Sequence, residues 1–216
     1  MATSYGGFLG QSPPSRRRVF FSFHYADVFV CNQIRNSWRF APTSQDRGAE
    51  GFFDGSLWES KKLSGDESLK SLIRDGLQNT SVTVVLVGEH TWARRWVRYE
   101  IARSVIKGNG LLAVKMDGMR FNNHRSSQPG PNPLDYMGVW NAGGGRILLA
   151  EWHEGKWVNY GDFTQSITLP ASWAVPTSTQ VTALSHYAET YTYNAQGGSN
   201  SFSSWVHQAA LAVGRV

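Results

Sequence analysis

Residues 81–87, with the sequence SVTVVLV, are the stretch that decides the fold. The run is apolar at almost every position, it is rich in β-branched residues, and Gly88 follows it. A strand with one face in water alternates apolar and polar side chains, whereas a continuous apolar run is typical of a central parallel strand buried on both faces. The run therefore predicts a parallel β-sheet that is covered on both sides.

The segments on either side of this run alternate between strand and helix patterns. Strand patterns are present at 19–23, 51–54 and 111–115, and helical spacings of apolar residues at 28–38, 69–77 and 92–107. This alternation predicts an α/β protein with a doubly wound parallel sheet. Ligands bind beyond the carboxyl ends of the strands in such sheets. We therefore expect the loops at His24, at 54–59 and at 88–92 to converge on one site.

The pattern weakens after residue 117. Three prolines and three consecutive glycines indicate a long loop or insertion over 118–145, followed by a strand at 147–152. Residues 153–201 have no firm period, and 202–213 are predicted to form a closing helix. The sequence thus divides into a flexible tail (1–15), a domain core (16–152) and a C-terminal extension packed on the same domain (153–216).

Composition limits the partners that this chain can have. The 216 residues are 41% hydrophobic with a net charge of +5, and the basic residues are scattered, which argues against nucleic acid as a partner. The start of the chain lacks the charged and apolar pattern of a signal peptide, and the longest apolar runs are too short for a bilayer. One cysteine, Cys31, suits a reducing compartment. We expect a cytoplasmic protein with no membrane partner.

Several catalytic classes lack their motifs in this sequence. It has no glycine-rich phosphate loop, no histidine spacing that suits a metal and no nucleophile elbow. We therefore expect neither a metal nor a bound cofactor.

The chemical candidate is a carboxylate on the helix after the SVTVVLV strand. On a helical wheel Glu100 lies about 60° from the centre of the apolar stripe, so it borders the buried face. A carboxylate in such a place can have a perturbed pKa and a catalytic role. The alternative, which position alone favours, is a surface salt bridge to Arg103.

Other candidates follow the three predicted strands. His24 and Tyr25 could contact ribose or phosphate, Asp54 could bind ribose hydroxyls, and Trp58 and Trp92 could stack on a flat base. Each also has an ordinary structural explanation as a loop, turn or packing residue. Their joint placement at adjacent strand ends is better evidence than any one of them.

Two segments resemble the TIR (Toll/interleukin-1 receptor) domain family. Residues 18–27, RVFFSFHYAD, are similar to the first TIR strand and loop, and residues 91–101, TWARRWVRYEI, to the helix in which Trp96 and Glu100 match a Trp-x-x-x-Glu spacing. Further stretches resemble the TIR-like proteins of the bacterial Thoeris anti-phage system: 36–38, 51–54, 57–59, 79–85, 94–101, 130–133 and 202–206.

The resemblance implies a flavodoxin-like doubly wound sheet with C-terminal insertions and a defined activity. Such proteins respond to a phage component by converting NAD, their substrate, into a cyclic ADP-ribose isomer. This messenger activates an effector protein of the same defence system. Glu100 would be the catalytic residue, and Phe23, His24, Asp54 and Trp92 would line the NAD cleft. Self-association is implied for assembly of the site. The first loop departs from many TIR enzymes in carrying His24 and Tyr25.

Two other functions also fit these residues. A non-catalytic TIR-like scaffold would act through self-association alone, with Glu100 capped by Arg103. A nucleoside-transferase-like enzyme on a related sheet would also place a glutamate near a ribose, and its substrates would be deoxynucleosides.

Overall fold

The computed structural model describes residues 17–39, 49–50, 65–120, 128–177 and 180–215. Five strands form one parallel sheet: β1 (Val19–Ser22), β2 (Ala49–Glu50), β3 (Val82–Val87), β4 (Gly110–Lys115) and, much later in the chain, β9 (Glu189–Thr192). Their spatial order is β2-β1-β3-β4-β9. This is the flavodoxin-like strand order, so the predicted fold class is confirmed.

Helices cover both faces of the parallel sheet. One face carries α1 (Val28–Arg39) and α4 (Gly198–Leu211), and the other carries α2 (Asp66–Leu77) and α3 (Arg95–Lys107). The six residues of β3 are all buried, and successive side chains point to opposite faces: Val84 packs with α1 and α4, and Val85 packs with α3. The continuous apolar run of β3 is explained by this two-sided burial.

A second, antiparallel sheet lies between β4 and β9 in the chain. Its strands are β5 (Met137–Gly143), β6 (Arg146–His153), β7 (Lys156–Asn159) and β8 (Thr182–Ala183), in the order β7-β6-β5-β8. Its apolar side chains Val139, Ile147 and Leu149 join the core around α3. The predicted strand at 147–152 is confirmed. Of the long loop or insertion predicted at 118–145, the loop alternative is wrong for β5, in which only the first three residues are buried.

Several element boundaries differ from the predictions. The strand predicted at 51–54 lies outside the described residues; β2 pairs with Val19 and Phe20 of β1. The helix predicted from 92 is preceded by a 3-10 turn at Thr91–Ala93, and α3 begins at Arg95. Gly108 ends α3 in the left-handed conformation, at φ 74°, as a helix C-terminus prefers. No described helix combines the length and the apolar character that crossing a bilayer requires.

Candidate active site

A buried serine–glutamate pair lies at the point in the parallel sheet where the strand order reverses. The sheet grows from β1 to β2 on one side and from β3 to β4 on the other, so the switch point is between β1 and β3. Ser22 is the last residue of β1, and Glu100 lies in the second turn of α3, which follows β3. The Ser22 hydroxyl donates a hydrogen bond of 2.5 Å to Oε2 of Glu100. Ligands of doubly wound sheets bind at this switch point.

Glu100 is buried away from any counter-charge that the described residues could supply. Its side chain is 6% exposed, and no ion pair within the described part of the chain joins it to Arg103. The alternative of a surface salt bridge is therefore wrong. Burial raises the pKa of the Glu100 carboxyl to about 8, although the hydrogen bond from Ser22 acts in the opposite direction.

The helical wheel places Glu100 at the border of the buried face, whereas the structure buries it almost completely. The reason is that α3 is enclosed on three sides. Val97 and Ile101 pack between the parallel and the antiparallel sheet, while Tyr99 packs against α2. A wheel assumes a single buried face, so it underestimates burial for such a helix.

The loops after β1 and β3 contact each other above this pair. The turn after β3 is held by the hydroxyl of the buried Thr91, which accepts from the Gly88 amide at 3.0 Å. A Cβ at Gly88 would lie 2.4 Å from the carboxylate of Asp27, so the two loops approach closely here and a side chain at position 88 would displace that carboxylate. The predicted convergence holds for the His24 and 88–92 loops. Residues 54–59 lie outside the described part.

The described cleft residues that the sequence predicts have different surroundings in the structure. His24 is partly buried beside the switch point, and burial, then the charges of Arg94 and His90, lower its pKa. Phe23 packs against the core on the opposite face of the sheet from Glu100. Trp92 stacks at a tilt on Tyr136, with ring centroids 4.8 Å apart.

Asp54, the remaining predicted cleft residue, lies outside the described part of the chain. Within that part, no group of three His, Cys, Asp or Glu side chains is placed to hold a metal.

Sequence reasoning did not single out Ser22 as a functional residue. Its signal was available, since it is the one polar residue of the VFFS strand and stands at its carboxyl end. A buried hydroxyl needs a hydrogen-bond partner, and here that partner is Glu100.

A separate groove of about 490 Å³ lies between the start of α3 and the antiparallel sheet. Its lining includes Arg95 and Arg98, but Glu100 is not part of it. Arg95 pairs with Asp66 and Asp162, and Arg98 pairs with Glu151 at 2.9 Å. The groove therefore has its charges already neutralised, and we place the candidate site at Glu100 instead.

Comparisons with known proteins identify the family of this chain. Residues 20–120 match the family model described as "Thoeris protein ThsB, TIR-like domain". A relative in Bacillus cereus (strain MSX-D12), named "Putative cyclic ADP-D-ribose synthase ThsB1", is 42% identical over 196 residues, which span 88% of this chain and 99% of the relative. The residues matched by the family model include Ser22 and Glu100.

Proposed function

The chain belongs to the family of Thoeris ThsB proteins with a TIR-like domain, and we propose that it cleaves NAD and closes the ADP-ribose part into a ring. The observation that carries this proposal is the buried Glu100 carboxyl, which is bonded to Ser22 at the topological switch point. A carboxylate near a ribose stabilises the positive charge that develops when a glycosidic bond breaks. NAD is the substrate, and the proposed reaction requires no cofactor.

The chemistry is a substitution at the anomeric carbon of the nicotinamide ribose. The bond from that carbon to the ring nitrogen breaks, and its electron pair leaves with nicotinamide, which becomes neutral. The ribose takes an oxocarbenium-like character that the Glu100 carboxylate stabilises. A nucleophilic atom of the adenosine half then forms the new bond to the same carbon, and the adenosine half releases one proton to solvent. Where water is excluded this internal attack gives a ring, and where water enters it gives ADP-ribose.

The protonation of Glu100 couples substrate binding to catalysis. With its pKa raised to about 8, the carboxyl of the free protein is mostly protonated at pH 7. The nicotinamide ring of NAD carries a positive charge, and a unit charge about 4 Å away favours the carboxylate by roughly 4 kcal/mol at an effective dielectric constant near 20. That energy corresponds to about three pKa units. Bound NAD would therefore ionise the residue that its cleavage needs.

We place this reaction within a defence response. The cyclic product would act as a messenger on a separate effector protein of the same system, and a phage component would be the trigger. Since NAD is a cytosolic metabolite, the reaction would take place in the cytoplasm. Self-association would complete the site, with His24, Asp54 and Trp92 contributing to the NAD cleft and Phe23 supporting its floor from the far face of the sheet.

The test compares the fate of NAD in lysates of phage-infected cells that carry the wild type, Glu100→Gln or Glu67→Gln. Glu67 is the matched control, because its carboxylate lies on α2 with a side chain that is 80% exposed. We expect the wild type and Glu67→Gln to form the same new ADP-ribose-like product, separated by chromatography. Glu100→Gln should reduce its rate at least roughly a hundredfold.

Equal product from the wild type and Glu100→Gln would overturn the role of Glu100. If neither the wild type nor any variant formed the product, while the wild type still protected cells against phage, the proposed NAD-cleaving activity would be excluded. A scaffold acting through self-association would then be the better explanation.

A further inference from the structure

Residues 88–94, the β3 loop, are held from two sides. On one side this loop meets the loop after β1, where Gly88 approaches the carboxylate of Asp27. On the other side it is covered by the segment that leads into the antiparallel sheet. The β3 loop carries Trp92, which the sequence predicts to line the NAD cleft. The contacts that hold the loop therefore decide where Trp92 lies relative to the switch point.

The covering segment packs directly on the backbone of the β3 loop. A Cβ at Gly130 would collide with the carbonyl oxygen of Gly88 and would lie 2.7 Å from that of Glu89. Both neighbours are backbone atoms, so they cannot turn away as the end of a flexible side chain could. Further along the same segment, the ring of Tyr136 lies against that of Trp92, with centroids 4.8 Å apart. The segment thus contacts the β3 loop at its start and again at Trp92.

Arg98 joins the same loop to β6 by hydrogen bonds. Its Nε donates to the carbonyl oxygen of Trp92 at 3.3 Å. Its Nη1 donates to Oε2 of Glu151 at 2.9 Å and to the carbonyl oxygen of Trp152 at 3.2 Å. The Arg98 side chain is 13% exposed, and the planar fork of a guanidinium lets one residue bond to acceptors on two elements. Arg98 is therefore a bridge between the β3 loop and the antiparallel sheet.

We propose that Arg98 is a positioning residue of the NAD site, which fixes Trp92 by tying the β3 loop to β6. This inference rests on the proposed function. Arg98 lies two residues before Glu100, which is about 200° around the helix, so the two side chains leave α3 on different sides. Arg98 therefore acts through the loop and not on the reacting atoms.

Loss of this bridge would disturb the loop more than the helix. The carbonyl oxygen of Trp92 would lose a donor, and the carboxylate of Glu151, which is only 22% exposed, would lose its counter-charge. The hydrogen bond from Ser22 to Glu100 involves neither group. The β3 loop would then take up other positions while the catalytic carboxyl stays in place.

The kinetic effect follows from the role expected of Trp92. An aromatic ring in the cleft stacks on a flat base of NAD and binds the substrate and the transition state to a similar extent. Loss of such uniform binding raises KM and leaves kcat unchanged. The pH midpoint of the reaction should also stay unchanged, because the surroundings of Glu100 are the same.

The test combines hydrogen exchange with steady-state kinetics on the full chain. Amide exchange is measured by mass spectrometry without substrate, for the wild type, Arg98→Gln, Arg98→Lys and Arg146→Gln. Arg146 is the matched control, because it lies at the opposite end of β6 from Trp152 and its Nε bonds to the hydroxyl of Ser166 at 2.8 Å. Circular dichroism and the exchange of β3 and α3 check that each variant retains the fold.

We expect Arg98→Gln to speed exchange in the β3 loop roughly tenfold or more, including the amides of Thr91 and Ala93, which are hydrogen-bonded within the loop. The KM for NAD should rise roughly tenfold, with kcat and the pH midpoint of the wild type. Arg98→Lys keeps the charge but not the fork, so it should recover part of both effects. Arg146→Gln should match the wild type.

The inference is overturned if Arg98→Gln leaves exchange in the β3 loop or the KM unchanged, or if Arg146→Gln shows the same changes. A lower kcat with a shifted pH midpoint would also overturn it, because Arg98 would then act on the surroundings of Glu100.

The exchange measurement separates this inference from the proposed function, because it needs no turnover. Faster exchange of the β3 loop in Arg98→Gln, in a protein that cleaves no NAD, would refute the enzyme and keep the bridge. Cleavage of NAD by the wild type, with unchanged exchange and KM in Arg98→Gln, would refute the positioning role and keep the enzyme.

Discussion

Replacing Glu100 with glutamine should stabilise the resting protein near neutral pH, even though it destroys the proposed activity. The pKa of this carboxyl rises from an ordinary 4.5 to about 8 on folding. Between these two values the folded protein holds a proton that the unfolded chain has released. Glu100 therefore contributes most to the free energy of unfolding below pH 4.5, where it is protonated in both states. This contribution is lost as pH rises towards 8.

The loss can be estimated from the two pKa values. Each pH unit in this window costs the folded state about 1.4 kcal/mol, so Glu100 should cost about 3 kcal/mol at pH 7 relative to pH 4.5. Glutamine has nearly the same size, its amide oxygen can still accept from Ser22, and it carries no charge at any pH. The variant therefore does not show this pH-dependent loss of unfolding free energy. The loss is a sizeable fraction of the 5–15 kcal/mol stability typical of a domain.

Urea unfolding from pH 4.5 to pH 8 provides the assay. The free energy of unfolding of Glu100→Gln minus that of the wild type should increase with pH by about 3 kcal/mol between pH 4.5 and 7. Glu67→Gln is the control, and its difference should stay nearly flat because this side chain is 80% exposed. A flat difference for Glu100→Gln as well would refute the argument that Glu100 is buried in its neutral form.

Three further predictions concern activity. The kcat/KM for NAD should rise with pH through a midpoint near pH 8, since it reports the free enzyme, in which the carboxyl pKa is raised to about 8. A profile that is flat between pH 6 and 9 would contradict this. Ser22→Ala removes a donor to the carboxylate, so it should move the midpoint to higher pH and slow the reaction roughly tenfold at pH 7; an unchanged midpoint would show that Ser22 does not act on Glu100. Gly88→Ala drives a methyl group into the Asp27 carboxylate and should lower NAD cleavage roughly tenfold or more while circular dichroism shows the fold intact. Gly161→Ala, where a methyl group meets nothing within 4 Å, should retain wild-type rates.

The central part of the fold is predictable because its signals are local. The SVTVVLV run is long enough and apolar enough to identify β3 without any tertiary information. The helices on either side have regular apolar spacing, and the alternation of elements then fixes a parallel sheet. The position of Glu100 next to the carboxyl end of a strand follows from the same alternation.

The strands late in the chain are harder to predict from the sequence, because their formation depends on contacts with distant residues. The fifth parallel strand, β9, has the sequence ETYT, with two exposed and two half-buried residues, and it pairs with β4 across more than 70 residues of chain. No local pattern distinguishes such a strand from a loop. The strand β5 ends in exposed residues that include Gly143, so its second half resembles the loop that we expected.

The depth at which Glu100 is buried could not be obtained from its own segment either. Val97, Ile101 and Val105 satisfy the helical pattern, but the pattern does not reveal that a second sheet covers the other side of the helix. The role of Ser22 was hidden for a similar reason, because a hydrogen bond between residues 78 positions apart has no signature in a single sequence.

The inserted antiparallel sheet therefore bears on the chemistry as well as on the fold. Val139, Ile147 and Leu149 enclose α3 from the side that solvent would otherwise reach. A helix open to water on that side would leave Glu100 better solvated, and its carboxyl would ionise near the ordinary pKa. Enclosure keeps the Glu100 carboxyl protonated in the free protein, and the positive charge of bound NAD then favours its ionisation. We therefore expect a substitution that opens the core at Leu149 to shift the pH profile of NAD cleavage to lower pH. Leu149 itself is not one of the site residues.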